Sequence, residues 1–230
     1  MASHPLQGSV VAVVGASGAL GSLIARGIAD RGGHPLLVGR DHDRLAALGL
    51  PDDTVTVVGE LGDAELGTRL ADAARERHGR LDGVVNAAGV VAFGSLLDTD
   101  DAVLEELFLT NVLGPLFLLR RVLPLLTESR GFVAQLSAVV AESPMAGMAA
   151  YSASKAALTA ADRALTRELR RQGVDVMDLR PPHTETGLAT RPLAGAAPRL
   201  PQGLDPQVVA DAVLDAIEAG TSEVPAEAFG

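Results

Sequence analysis

The chain has 230 residues, of which 47% are hydrophobic, 21% charged and only 3% aromatic, with no Cys and no Trp. This length and apolar content suit one domain spanning residues 1–230 with a large core, and exclude a mainly disordered chain. The lack of cysteine excludes disulfides, thiolate metal ligands and a cysteine nucleophile. A formal charge of -10 sets nucleic acid and anionic membranes against an unfavourable field, so neither is an expected partner. Residues 1–8 carry neither the basic nor the apolar region of a signal peptide. Charge, Gly or Pro interrupts the apolar stretches before the roughly 18 residues of a membrane span. A cytoplasmic protein is the expectation.

In chain order, SVVAVVG (9–15) is short, β-branched and closed by Gly, which predicts a buried parallel strand. Leu20, Leu23, Ile24 and Ile28 then recur at helical spacing over 19–30, and Gly32-Gly33 ends the segment. Further strands are predicted at 35–40, 54–60, 81–89, 131–139 and 174–181. Helices are predicted at 41–50, 63–78, 98–126, 151–172 and 205–220, the last with Asp205 as N-cap and Pro206 at its first position. The Gly-, Ala- and Pro-rich stretch 187–205 between them predicts a surface loop or lid. Strands alternating with helices at this interval predict an α/β fold, a Rossmann-like doubly wound parallel sheet in three α/β/α layers.

Between the first strand and helix lies Gly15-Ala16-Ser17-Gly18-Ala19-Leu20-Gly21. Glycines at relative positions 1, 4 and 7 let backbone N–H groups approach a pyrophosphate at a helix N-terminus, where the dipole favours negative charge. At the end of the second strand Val38-Gly39-Arg40 offers no acid for a ribose hydroxyl. A guanidinium there matches a 2'-phosphate, so NADP(H) is preferred over NAD(H).

Of the 19 basic residues 18 are Arg; the single Lys, Lys155, stands four residues after the single Tyr, Tyr151. At that spacing the two share one face of a helix. A phenol with an ordinary pKa of about 10 is a poor acid-base catalyst at neutral pH. An ammonium about 4 Å away at an effective dielectric near 20 favours the phenolate by at most about 4 kcal/mol, before desolvation opposes it.

YSASK, VVNAAG and the N-terminal GASGALG together resemble the short-chain dehydrogenase/reductase family, over nearly the whole chain. The resemblance implies that Tyr151 transfers the proton at the substrate oxygen, and that Lys155 lowers its pKa and holds the nicotinamide ribose. It also implies that Asn111, in TNVLGP, keeps a water in the proton relay. By the same resemblance Asn86, Ala87 and Gly89 border the adenosine side of the cofactor and Glu60 and Leu61 stand near adenine. Pro181, Thr184 and Thr186, in a segment similar to PGxxxT, lie beside the nicotinamide amide.

Three departures stand out. The family's shorter members usually have glycines at 1, 5 and 7, so the phosphate turn here is a variant. Pro182 replaces the usual Gly. Thirteen residues before Tyr151, where the family carries a catalytic Ser, stands Ala138. Either a one-residue shift turns Ser137 into the site, or Ser143 or His183 substitutes. The remaining histidines show no paired ligand spacing, and no metal site is predicted.

These features lead to an NADP(H)-dependent carbonyl reductase or alcohol dehydrogenase acting on a small carbonyl or alcohol substrate. Two rivals remain: a nucleotide-binding protein with little catalysis, and a non-redox lyase or isomerase on the same scaffold. The resemblance also implies a homodimer or homotetramer built from the helices at 98–126 and 151–172. Apolar residues around much of the first of these agree with it.

Overall fold

Short Val- and Leu-rich runs, apolar on both faces, form the strands of one parallel sheet in the computed structural model, which describes residues 2–51 and 53–230. The strands are β1 (Val10–Val14), β2 (His34–Gly39), β3 (Thr56–Val58), β4 (Gly83–Asn86), β5 (Phe132–Leu136), β6 (Asp175–Leu179) and β7 (Glu223–Val224). Their order is β3-β2-β1-β4-β5-β6-β7. Val14 pairs with Val38 on one side and with Asn86 on the other, so the strand order reverses direction between β1 and β4. Ligands bind doubly wound sheets at the carboxyl ends of the strands beside such a reversal.

Helices cover both faces. On one side, α1 (Ala19–Asp30) and α7 (Pro206–Ala219) bury Ile24, Ile28, Val209, Val213 and Ile217 with the odd-facing residues Val11 and Val13 of β1. On the other lie α3 (Leu66–His78), α5 (Gly114–Ser129) and α6 (Ala149–Leu169). Leu66, Leu70, Leu118, Val122 and Leu126 pack there on Val10, Ala12 and Val14. A short α2 (His42–Ala46) follows β2; Asp41 caps it by accepting from the Arg44 N–H at 3.1 Å. Asp205 caps α7 from the Gln207 N–H at 2.7 Å, as the Asp-Pro sequence predicts.

The segment predicted as one helix over 98–126 has more structure than periodicity suggests. A 3-10 turn at Leu96–Asp98 precedes α4 (Asp101–Phe108), and a π-helical turn at Leu109–Leu113 joins α4 to α5. Pro115 has no N–H, which removes the α-type donor for the Asn111 carbonyl. The wider turn falls at that break. Residues 101–129 thus run on as a helix long and apolar enough, by length and composition, to cross a membrane. That corrects the count of interruptions made from sequence. In the fold, Leu118, Leu119, Val122, Leu125 and Leu126 of this helix are buried against the sheet and α3. The seventh strand was not predicted; two residues are too few for a periodic signal.

Candidate active site

A cavity of about 620 Å³ opens at the carboxyl ends of β1 and β4, running from the glycine turn to the 187–205 segment. At its first end, Gly15 has φ 79°, and a Cβ there would stand 2.9 Å from the Ala88 backbone. A Cβ on Gly21 would meet the Gly15 carbonyl oxygen, so this glycine sets the close approach of α1 to β1. No side chain caps the N-terminus of α1, and its first turn holds no acid. The N–H groups of that turn have no acceptor within the helix. Gly15, Ser17, Gly18, Ala19 and Leu20 line the cavity there. Uncapped donors, a positive dipole end and room for backbone approach fit a pyrophosphate.

Arg40 lines the cavity at the end of β2, as predicted, and Arg44 lines it beside Arg40. Arg44 donates through Nη2 to the Ser17 carbonyl at 2.7 Å, tying α2 to the glycine turn. Its place four residues beyond Arg40, on the helix that follows β2, was the available signal; sequence reading missed it. Asp41, the acid next to Arg40, is engaged as the α2 cap. Glu60, Leu61, Ala87 and Gly89 also line the cavity.

Gly21, Asn86 and Asn111 are not part of the cavity lining; they hold the wall. Asn86 Nδ2 donates to Gln135 Oε1 at 2.8 Å, and its Oδ1 accepts from the Ala88 N–H at 3.2 Å. Asn111, in the π turn, accepts from the Val90 N–H and donates to the Val90 carbonyl, both at 2.9 Å. It also donates to Ser154 Oγ at 3.0 Å. One buried amide therefore clamps the segment following β4 to α6. Beside it, a Cβ on Gly89 would stand 3.3 Å from both Asn111 Oδ1 and Lys155 Nζ, so the three groups converge.

Tyr151 and Lys155 face the cavity from the first turns of α6, 7% and 4% exposed. Burial pushes the Tyr151 phenol up to about 12 and the Lys155 ammonium down to about 8, the latter against the pull of Asp162 and Asp178. Lys155 Nζ donates to the Leu136 carbonyl at 2.9 Å. The depression of the tyrosine expected from the four-residue spacing does not arise here, and desolvation alone sets the direction of the phenol's shift.

Ser137 is among the residues lining the cavity, but its hydroxyl is committed to the interior. It donates to Asp178 Oδ1 at 2.6 Å and lies 3.3 Å from the Leu179 carbonyl. The ladder between the β5 and β6 chains stays regular beyond Leu136: Ser137 N donates to Leu179 O, and Val139 N to Pro181 O. No one-residue shift occurs, and Ala138 lines the cavity without a hydroxyl. Of the two substitutes considered, Ser143 is exposed and outside the lining. His183 is in the lining, its Nε2 3.6 Å from Glu185 Oε1.

Pro181, Thr184 and Thr186 line the far end with Pro182. Thr184 Oγ1 donates to the Pro182 carbonyl at 2.9 Å, and Thr186 Oγ1 accepts from the Leu188 N–H at 3.3 Å. The 187–205 segment, free of helix and strand, closes this end with Leu188, Leu193 and Leu200. Leu193 N donates to Val91 O, and Phe93 N to Ala194 O, pinning it to the chain after β4. Phe93, Val140, Met145 and Met148 complete an apolar wall that sequence reading missed, because its residues lie in turns and loops without periodicity.

The profile of the family described as short chain dehydrogenase matches residues 9–194. An uncharacterized oxidoreductase of Staphylococcus saprophyticus is 30% identical over 220 residues, covering 93% of this chain and 92% of that protein. A short-chain dehydrogenase from Streptomyces avermitilis superposes with a TM-score of 0.83 at 29% identity, over 95% of this chain and 87% of the other. One from Burkholderia cenocepacia, solved in complex with NADP, gives 0.86 at 24% identity, over 97% and 90%. With the glycine turn and strands β1 to β6 all falling within the matched residues, the chain belongs to the short-chain dehydrogenase family and is an NAD(P)-dependent oxidoreductase.

Proposed function

We propose that the protein is an NADP(H)-dependent carbonyl reductase or alcohol dehydrogenase of the cytoplasm, acting on small to medium apolar carbonyl compounds. The observation that carries this reading is one cavity with a phosphate-ready helix end and two arginines at one side and Tyr151 with Lys155 at the other. The first turn of α1 would hold the pyrophosphate, and Arg40 and Arg44 the 2'-phosphate. Glu60, Leu61 and Ala87 border the adenosine, Lys155 the nicotinamide ribose, and Pro181, Thr184 and Thr186 the carboxamide. The bound nicotinamide supplies or accepts the hydride. NADP in the Burkholderia cenocepacia structure supports a nicotinamide cofactor, and the paired arginines support the phosphorylated form.

Tyr151, kept protonated by burial, gives its proton to the substrate oxygen in the reducing direction and takes it back in the other. The Lys155 ammonium stabilises the phenolate left behind. Asn111 fixes the wall against which both side chains stand. Leu188, Leu193 and Leu200 keep water from the reacting end and select apolar substrates.

Tyr151→Phe is expected to abolish ketone reduction, followed as loss of NADPH, while NADPH affinity measured by nicotinamide fluorescence is kept. Full activity in that variant would overturn the assignment. Ala138, where a second donor to the substrate oxygen is missing, favours a second reading: a nucleotide-binding protein with little catalysis. Loss of one such donor typically lowers a rate by about 10²- to 10³-fold. NADPH binding without turnover of any ketone in a broad panel selects the second reading.

A further inference from the structure

Beneath Lys155 the sheet carries a row of polar residues in the protein's interior. Asn86, Gln135 and Asp178 are register partners across β4, β5 and β6. Above them α6 presents Lys155, Thr159 and Asp162, four and seven residues apart and so on one helix face. All six are buried, Asp162 to 1% and Asp178 to 3% exposure. Two carboxyl groups sit there incompletely partnered. Asp162 Oδ1 accepts from Gln135 Nε2 at 3.3 Å, and Asp178 Oδ1 accepts from Ser137 and Thr159 at 2.6 and 3.3 Å. Among the described residues, the second oxygen of each accepts no hydrogen bond.

Isolated charges in such a place are costly, so the cluster must balance. Arg180, 3.5 Å from Asp178 Oδ2, is bound at 2.6 and 2.7 Å by Glu142 and Glu223, with Arg163 3.3 Å from Glu223. The arginine's charge is largely taken up on that side. Lys155 faces Tyr151 from its own helix, Asn111 across Gly89, and the Leu136 carbonyl that takes its hydrogen bond. None of these three supplies a negative charge while the phenol is protonated.

We propose that Asp162 and Asp178 form a buried acid pair sharing one proton, whose single negative charge is the counter-charge that keeps Lys155 an ammonium inside the fold. The two are positioning residues for Lys155. Two carboxylates in one buried site do not both ionise. Desolvation and the neighbouring Asp178 hold Asp162 protonated well above the usual carboxylate range, which makes it the proton's main seat. The pair's charge opposes the effect of burial on Lys155. The inference rests on the proposed role of Lys155, but its test needs no substrate.

With one lysine in the chain, 13C-labelled lysine gives a single side-chain signal, so Lys155 titrates without overlap. The double variant Asp162→Asn/Asp178→Asn is expected to lower its midpoint by about one pH unit or more. A folded double variant with an unmoved midpoint overturns the proposal. Should that variant not fold, Lys155→Met makes the reciprocal measurement. In wild type the infrared carboxylic-acid stretch of one buried group is expected to persist at pH 7 and to vanish in Asp162→Asn. Lys155→Met is expected to carry that band to higher pH. A wild-type protein with no protonated carboxyl at pH 7, or a band that ignores loss of Lys155, overturns the proposal. Unimpaired turnover by Tyr151→Phe, by contrast, overturns the catalytic reading and leaves these titrations standing.

Discussion

At the residue scale, Lys155 costs the fold stability in exchange for a charge. Its folded-state pKa, about 8, lies below the ordinary value of about 10.5, so the native state resists binding that proton. Stability therefore rises with pH as the native lysine loses its charge above about 8 while the unfolded one keeps it to about 10.5. Lys155→Met removes the buried charge and forfeits the bond to the Leu136 carbonyl. It is expected to raise the unfolding free energy by about 2 kcal/mol at pH 7, with the advantage over wild type shrinking toward pH 10. Urea denaturation at both pH values checks this. Tyr151 runs the opposite way: its pKa is raised to about 12, so its contribution is present below about 10 and lost as pH climbs toward 12. As the only Tyr, in a chain without Trp, it reports itself through tyrosinate absorbance. The midpoint without cofactor is expected near 12; a midpoint at 10 would refute the desolvation argument.

The arginine pair makes a second prediction at this scale. Arg44 is held by the Ser17 carbonyl in front of the uncapped end of α1. Arg44→Ala and Arg40→Ala are each expected to weaken NADPH binding about tenfold and leave NADH binding nearly unchanged, since only the 2'-phosphate is addressed. Equal losses for both cofactors in parallel fluorescence titrations contradict that assignment. Tyr151 and Lys155 are legible because each is the only residue of its type, and Arg40 because it ends a strand. Arg44, Asp162 and Asp178 are not: a single charge on a helix or strand reads as solvated until the partner element is known.

At the element scale the π turn bears on function. Pro115 interrupts the α-type ladder, and the resulting wide turn presents Asn111 to the backbone of Val90. Asn111→Ala leaves a part-buried N–H and carbonyl of Val90 unpaired and is expected to cost about 2–4 kcal/mol, the lost bond to Ser154 included. For a chain of this length that lowers Tm by roughly 5–15 °C. A calorimetric Tm within a degree or two of wild type would show the clamp to be dispensable. The Asn and the Pro are plain in the sequence, yet a 3.6-residue period runs through this segment almost uninterrupted. The π turn follows from a missing N–H, which periodicity does not register. Helix α1 is read to the residue because Gly18 and Gly32 punctuate it; β3 shrinks to three residues because only Thr56, Val57 and Val58 find a ladder partner on β2.

At the scale of the whole molecule, six of the seven strands and the parallel, doubly wound arrangement follow from alternation of the elements, since right-handed crossovers leave few other ways to pack them. The order in space does not follow from alternation; it comes from which faces the helices bury. The same burial leaves apolar side chains outside both cores. Leu97 is 94% exposed before α4, and Phe108 and Leu113, around the π turn, are exposed as well. Leu107 already packs beside Tyr151 and Phe93, and Leu118 and Val122 on the sheet side, while Phe108 and Leu113 on the outer side of this long helix stay exposed among the described residues. We propose that a second copy of the chain covers that outer side in a homodimer or homotetramer. The strongly acidic surface keeps such assembly specific, since like charges oppose any contact that does not bury apolar area. Light scattering at micromolar concentration is expected to give two or four chains. Phe108→Glu/Leu113→Glu places two further negative charges at that surface without entering either core, and is expected to leave the monomer folded. A monomeric wild type would overturn the proposed assembly, and an assembly indifferent to both glutamates would locate the contact elsewhere.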